Sequence, residues 1–388
     1  MQFAFTEEQN LIRETARGFL AERAGSARLR RDCALDEAYD PVLWQAIVRE
    51  LGWAGIALPE SLGGSGLGMV ELAILLEEQG RCLYGGPFLA SAGFASALLL
   101  EAPAAEARDS ILGKLAAGEL IAAAAVTGDS GLAGDAAVRV ELLDSAAGSV
   151  LRGHAAFVLN GHVADVFAVV AHDRRAGRSG LALVTVSATA KGLTRRRLDA
   201  MDLTRPYARL EFIDVSPDAV LAAGGAPAVE RGLQVAQVAL AAEQLGSMQA
   251  LLEMTTAYAG QRVQFGRVIG SFQTIKHRLA DMMVVCEAAR SAVYYAACVV
   301  DEYRADPENG LQELAEAAAL VKVQCSAGFH DVAGNAIQLH GGIGFTWEYD
   351  AHLFFKRARA SSNLLGSPQH HRERIAQLIG LDVPAEAP

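Results

Sequence analysis

A fixed cation at Arg262, a glycine pair at Gly341-Gly342 and the amides of Gln273 and Gln338 are residue types suited to a phosphorylated ligand. A guanidinium stays charged at any working pH and donates paired hydrogen bonds to phosphate oxygens. Glycines without Cβ let backbone approach a ligand. Each residue also has an ordinary reading, since most surface arginines and amides are solvated or ion-paired. His340, beside the glycines, suits packing or hydrogen bonding better than catalysis. Other chemistries are excluded more directly. The five cysteines (33, 82, 286, 298, 325) are scattered without C-x-x-C spacing, which fits reduced core thiols and provides no metal site. The net charge of −11 speaks against nucleic acid as a partner.

The elements that must position these residues fall into three textures. Residues 1–120 read as an N-terminal all-α domain, opening on a Thr6-Glu7-Glu8-Gln9 capping box with apolar residues at helical spacing after it. The Pro59–Gly66 stretch reads as a surface loop, lacking the preceding strand and following Lys-Ser/Thr of a phosphate loop. Residues 121–227 turn to short apolar or alternating runs at 121–126, 137–143, 149–151, 166–171, 181–186 and 208–212, the pattern of a middle antiparallel β-barrel. No βαβ alternation carries a G-x-G-x-x-G turn, so a dinucleotide here is not held in the Rossmann manner. Residues 228–388 read as a C-terminal helical bundle with helices near 229–260, 271–305, 311–338, 350–364 and 368–380, the last capped by Ser367-Pro368. The class is therefore α+β. No charge-free apolar run of about 18 residues and no apolar leader are evident, so the expectation is a cytoplasmic protein without a membrane partner.

Arg262-Val263-Gln264-Phe265-Gly266, Gln273, Leu279-Ala280-Asp281-Met282 and the distant Gln338-Leu339-His340-Gly341-Gly342-Ile343-Gly344-Phe345 occur in one order that resembles the acyl-CoA dehydrogenases. Pro59–Gly66 and Asp202-Leu203-Thr204-Arg205 resemble that family's loop and barrel elements, so the likeness spans nearly the whole chain. It implies the family's three-part fold, FAD as cofactor and an acyl-CoA substrate. It also implies that Arg262 meets the FAD pyrophosphate, while Phe265, Gln273 and Gln338 serve the adenosine end and Gly341 and Gly342 admit it. In such enzymes this half-site reaches the flavin of a neighbouring subunit, which implies a homodimer or homotetramer, or a heterotetramer with a base-bearing paralogue.

The family removes an α-proton with a carboxylate while the β-hydrogen leaves as hydride to flavin. Ungapped counting puts Leu365 at the usual base position, 27 residues beyond Gln338 and followed by Gly366-Ser367. The alternative position, on the helix before Arg262, is Ala236. Glu243 lies two helical turns farther on the same face, roughly 10 Å along the axis, and is the nominated catalytic residue; its other reading is a structural carboxylate needing a buried partner. On the barrel side, Thr127–Asp135 and Phe157-Val158-Leu159 stand where relatives hold the flavin ring, with Leu159 in place of a hydroxyl. Three functions follow as expectations: an FAD-dependent acyl-CoA dehydrogenase, a non-catalytic FAD half-site subunit of a heteromeric one, associated in the family with bulky acyl groups such as steroid side chains, or a CoA-thioester binder without redox activity.

Overall fold

In the computed structural model the described residues are 5–132, 135–146 and 148–381. The N-terminal part is helical: α1 (Glu7–Arg23), α2 (Ser26–Asp32), α3 (Pro41–Gln45), α4 (Met69–Arg81), α5 (Ser96–Glu101) and α6 (Glu106–Ala116). The capping box is present, with Thr6 Oγ1 accepting from Gln9 N–H and the Gln9 side chain accepting from Thr6 N–H. The Pro59–Gly66 loop folds back on itself: a Cβ at Gly64 would lie 2.2 Å from the Leu58 carbonyl oxygen.

The middle part is a sheet of β1 (Ala122–Ala125), β2 (Val140–Ser145), β3 (Gly148–Leu159), β4 (Val166–Asp173), β5 (Leu181–Ser187), β6 (Leu193–Leu198), β7 (Tyr207–Val215) and β8 (Ala219–Ala222). Its hydrogen-bonded order is β6-β7-β3-β2-β4-β5-β8, with β1 on β4. Pairing is mostly antiparallel, but β1 and β2 each run parallel to β4, where the sequence pattern suggests antiparallel throughout. Parallel neighbours need a long connection, and nothing local in β1 announces one. β6, with the sequence LTRRRL, is a further addition: an edge strand whose polarity hides it from a hydrophobic-pattern reading.

The C-terminal part holds α7 (Ala226–Gln261), a short hairpin of β9 (Val263–Gln264) and β10 (Arg267–Val268), α8 (Gln273–Ala305), α9 (Leu311–His340), α10 (Ala351–Ser362) and α11 (Pro368–Leu378). Ser367 Oγ caps α11 by accepting from His370 N–H at 3.2 Å, with Pro368 at the first helical position. α7 is buried along most of its length because it packs α4 on one side and α9 on the other. Glycines permit the α4 contact: a Cβ at Gly80 would lie 2.0 Å from the Glu243 carbonyl oxygen, and one at Gly246 would lie 1.7 Å from that of Glu77. The two helix backbones touch there, leaving no room for a ligand between them.

Candidate functional site

The residues nominated for the dinucleotide converge on one end of the bundle. Tyr258, in the last turn of α7, stacks on the His340 ring at 4.5 Å and donates its hydroxyl to the His340 carbonyl at 3.3 Å. Arg262 follows one turn later, its N–H bonded to the Tyr258 carbonyl, and its own carbonyl accepts from Ile269 N–H at 2.8 Å, folding the hairpin back. Gln273 opens α8 directly after that turn, and Gln338, Gly341 and Gly342 end α9 beside Tyr258. His340 is packed as expected: buried, with Nδ1 2.7 Å from the Ala336 carbonyl and its pKa lowered mainly by burial.

This surface fits a dinucleotide's adenosine half. All six nominated residues are exposed, and Phe265 at the hairpin tip is 90% exposed, its ring meeting only the Phe272 ring edge-on at 6.1 Å among the aromatic contacts of the described residues. Gly341 has φ +63°, and a Cβ added at Gly341 or Gly342 would meet nothing within 4 Å, so open space for a ligand lies above both. Ile343, Phe345 and Trp347 continue the exposed apolar surface beyond the glycines.

A first cavity, of about 500 Å³, separates the sheet from α10. Phe157, Leu198, Asp199, Met201 and Tyr207 form one wall; Arg359, Asn363 and Leu364 form the other. Phe157 reaches it because β3 carries a bulge between Ala155 and Val158 against β7, which re-aims a side chain that alternation would otherwise place differently. Phe157 has φ +53° and meets the Tyr207 ring edge-on at 6.0 Å. The volume of this cavity lies in the usual range for ligand pockets. The polar contacts have changed, however. The Thr127 hydroxyl is spent on the Ala156 carbonyl, and Leu159 is buried in the hydrophobic core rather than lining the cavity. Ala133 and Gly134 lie outside the described residues, and so does the Asp135 side chain.

A second cavity, of about 360 Å³, contains the expected base position. One face of α7 supplies Val229, Glu230, Leu233, Gln234 and Gln237, spaced three and four residues apart; α11 supplies His370, His371 and Arg374, and Leu365 stands between them. Leu365 has φ +60°, a left-handed conformation uncommon outside glycine that costs about 1–3 kcal/mol and clusters at functional sites. Its carbonyl accepts from His371 Nε2 at 2.9 Å and from Gln237 Nε2 at 3.4 Å. A Cβ at Gly366 would sit 2.4 Å from His371 Nε2, so this turn needs its glycine.

Glu243 lines neither cavity. Its carboxylate is clamped between Arg357 Nη1, at 2.9 Å, and Arg205 Nη2, in a cluster where all three residues are buried. Arg357 also donates to Asp202 at 2.8 Å, to the Thr204 hydroxyl and carbonyl, and to the Leu83 carbonyl. One guanidinium thereby ties together the N-terminal helices, the sheet, α7 and α10. Burial and the neighbouring Arg357 charge lower the Arg205 pKa to about 10. The sequence contains every member of this cluster, but Glu243 and Arg357 lie 114 residues apart and nothing in local spacing pairs them. No motif singles out His371 either, although its place in the first turn of a capped helix is readable.

Comparison with known proteins identifies the family and the fold. Residues 6–119 match the family model described as acyl-CoA dehydrogenase, N-terminal domain, and residues 223–380 match acyl-CoA dehydrogenase, C-terminal domain. The chain is 35% identical over 379 residues to acyl-CoA dehydrogenase IpdE2 of Mycobacterium tuberculosis, covering 95% of this chain and 96% of that one. It is similar to the ChsE4-ChsE5 complex of Mycobacterium tuberculosis, with a TM-score of 0.87 at 27% identity over 99% of this chain and 100% of that chain. It is also similar to the Tcur3481-Tcur3483 steroid acyl-CoA dehydrogenase, with a TM-score of 0.86 at 30% identity over 97% of this chain and 98% of that chain.

Proposed function

We propose that this chain, which belongs to the acyl-CoA dehydrogenase family of oxidoreductases, is the base-lacking subunit of a heteromeric FAD-dependent acyl-CoA dehydrogenase. The observation that carries the reading is the fate of the carboxylates. Position 365 is a leucine, and Glu243 is the counter-ion of two buried guanidiniums, held away from both cavities. A carboxylate between two arginines is stabilised in its ionised form and makes a poor proton acceptor. Of the remaining acids lining the cavities, Asp202 is bound to Arg357 and Glu230 to Arg374, and Asp199 is solvated on the sheet side of the first cavity. A self-sufficient homomeric enzyme, the other assembly the sequence allows, needs a base that this second cavity does not offer.

What this chain contributes is binding and placement. Bound FAD would supply the hydride acceptor. Arg262 would hold its pyrophosphate, with Phe265, Gln273, Gln338, Gly341 and Gly342 around the adenosine, on a surface exposed to a neighbouring subunit. That neighbour, a paralogue, would bring the carboxylate that removes the α-proton. The likeness to two assemblies named by pairs of chains, one of them a steroid enzyme, supports the heteromeric form and a bulky polycyclic acyl-CoA as substrate. The test is to purify the chain alone and with a co-expressed base-bearing paralogue, then measure flavin per chain and bleaching by acyl-CoA. The reading expects flavin to be substoichiometric alone and bleaching to appear only in the pair. Full flavin with bleaching in the isolated chain would overturn it.

A further inference from the structure

The two segments of the exposed half-site arrive on different helices, Arg262 after α7 and Gly341-Gly342 after α9. Among the described residues no backbone hydrogen bond joins the Arg262 hairpin to the 341–345 turn, so side chains must set their separation. Three rings do so. His340 stacks on Tyr258 with centroids 4.5 Å and planes 27° apart, and meets Tyr349 at 4.8 Å; Tyr258 and Tyr349 meet edge-on at 5.9 Å, closing the cluster. Tyr258 donates its hydroxyl to the His340 carbonyl at 3.3 Å, and its own carbonyl accepts from Arg262 N–H at 2.9 Å. On the other helix the turn folds over the histidine, since a Cβ at Gly344 would lie 3.1 Å from His340 Cβ. An apolar ring would fill this space without loose ends. The Ala336 carbonyl can only accept, so His340 Nδ1 carries the hydrogen, and Nε2 is a bare acceptor, buried and without a hydrogen-bond partner among the described residues. A buried acceptor without a donor costs stability and calls for a reason beyond packing. What His340 supplies is a ring whose orientation is fixed by the Nδ1 bond and by the stack.

We propose that His340 is a positioning residue of the half-site: its ring holds the Arg262 cation and the Gly341-Gly342 turn at the spacing that lets one ligand, an adenosine carrying two phosphates, engage both. The identity of the ligand rests on the family-based reading above; the spacing rests on the ring cluster. Arg262 suits the phosphates, and the open space above the two glycines admits the nucleoside. When two contacts belong to one ligand, the second forms at high effective concentration only if the geometry allows both together. A loosened cluster therefore weakens a ligand that spans the two contacts and spares ligands that use one. General softening of the fold has no reason to make that distinction.

The test is equilibrium dialysis of the full chain against ADP, adenosine and inorganic pyrophosphate, each alone, with urea midpoints recorded for every variant. The parent is expected to bind ADP more tightly than either fragment. His340→Leu removes the ring and the Nδ1 donor, and should weaken ADP at least about tenfold while leaving adenosine and pyrophosphate within about twofold of the parent. His340→Phe returns a ring to the cluster and should bring ADP back to within about threefold of the parent. Tyr349→Leu takes away another of the three rings, at a half-buried position, and should repeat the ADP-specific loss, which keeps the inference open to refutation if His340→Leu does not fold. Parental ADP affinity in these leucine variants, equal loss of all three ligands, or no rescue by His340→Phe would overturn the inference and leave the half-site standing. A parent that binds ADP no more tightly than its fragments would remove the half-site reading, and this positioning role with it.

Discussion

Helices α7 and α9 carry a different kind of site at each end. At their C-terminal ends lie Arg262, Gln338, Gly341 and Gly342, exposed and matching the family pattern, with an aromatic ring at Phe265 extended into solvent. Toward their N-terminal ends lies a cavity whose expected carboxylate is a leucine and whose nearest substitute, Glu243, is locked into an ion-pair cluster. The difference teaches that binding and chemistry are separable within one fold. In the proposed heteromeric assembly the half-site would serve whichever subunit docks against it and so would persist when the chain's own base is gone, whereas a base serves only its own cavity.

The sharpest way to break that contrast is to restore the missing group. Leu365 already holds the left-handed backbone conformation at the base position, with its carbonyl anchored by His371 and Gln237. Leu365→Glu should therefore raise the rate of flavin bleaching by acyl-CoA in the reconstituted subunit by about 10²–10⁴, the usual contribution of a positioned general base. Stopped-flow absorbance measures it, and a rate no different from the unmodified chain would show that more than the base has been lost here.

The complementary substitution tests Glu243. If it is a counter-ion, Glu243→Gln leaves two buried guanidiniums undercompensated and should destabilise folding by about 3–5 kcal/mol, read as a lower denaturant midpoint. Any bleaching rate, normalised to bound flavin, should be unchanged. A stable variant with a reduced rate would make Glu243 the base and overturn the contrast between the two ends.

At the exposed end the expected effects are smaller and of another kind. Arg262→Gln should weaken FAD binding by about 1.5–3 kcal/mol, the range for a hydrogen bond to a charged group, or roughly tenfold to a hundredfold. The flavin-free chain should keep its denaturant midpoint, because Arg262 is solvent-exposed. Equilibrium dialysis against FAD with the assembled subunits checks it, and an unchanged affinity would remove Arg262 from the half-site.

The contrast also marks what the sequence could and could not reveal. The long C-terminal helices were legible from periodicity and borders, and the α1 and α11 starts from Thr6 and Ser367, because caps and apolar spacing are local signals. That the Arg262 and Gln338 segments come together at one end of the bundle was legible through their ordered motifs. β6 and β8 were not, one being an arginine-rich edge strand and the other four residues long. The structural reading of Glu243 was open to the sequence, but its partners were illegible for a related reason. Its partners Arg205 and Arg357 come from a barrel loop and a distant helix, so the ion pairs exist only once the three parts have packed.

The smallest expected effect probes the interior cation. A lysine ammonium ordinarily titrates near 10.5, and burial lowers that of Lys322 to about 7 in the folded chain, so between those values the unfolded chain binds a proton that the folded chain does not. Stability therefore rises with pH across that interval and falls as pH drops from 10.5 toward 7, below which the ammonium must be carried in the interior. Lys322→Met should flatten this dependence, leaving the variant more stable than the parent near pH 6 once lost bonds to Ser326 and Ser362 are offset, and less favoured near pH 9. Urea midpoints at pH 6, 7.5 and 9 measure it. A parent chain whose midpoint does not rise over that range would mean that the buried amine keeps its proton, through a counter-ion that only the assembled subunits supply.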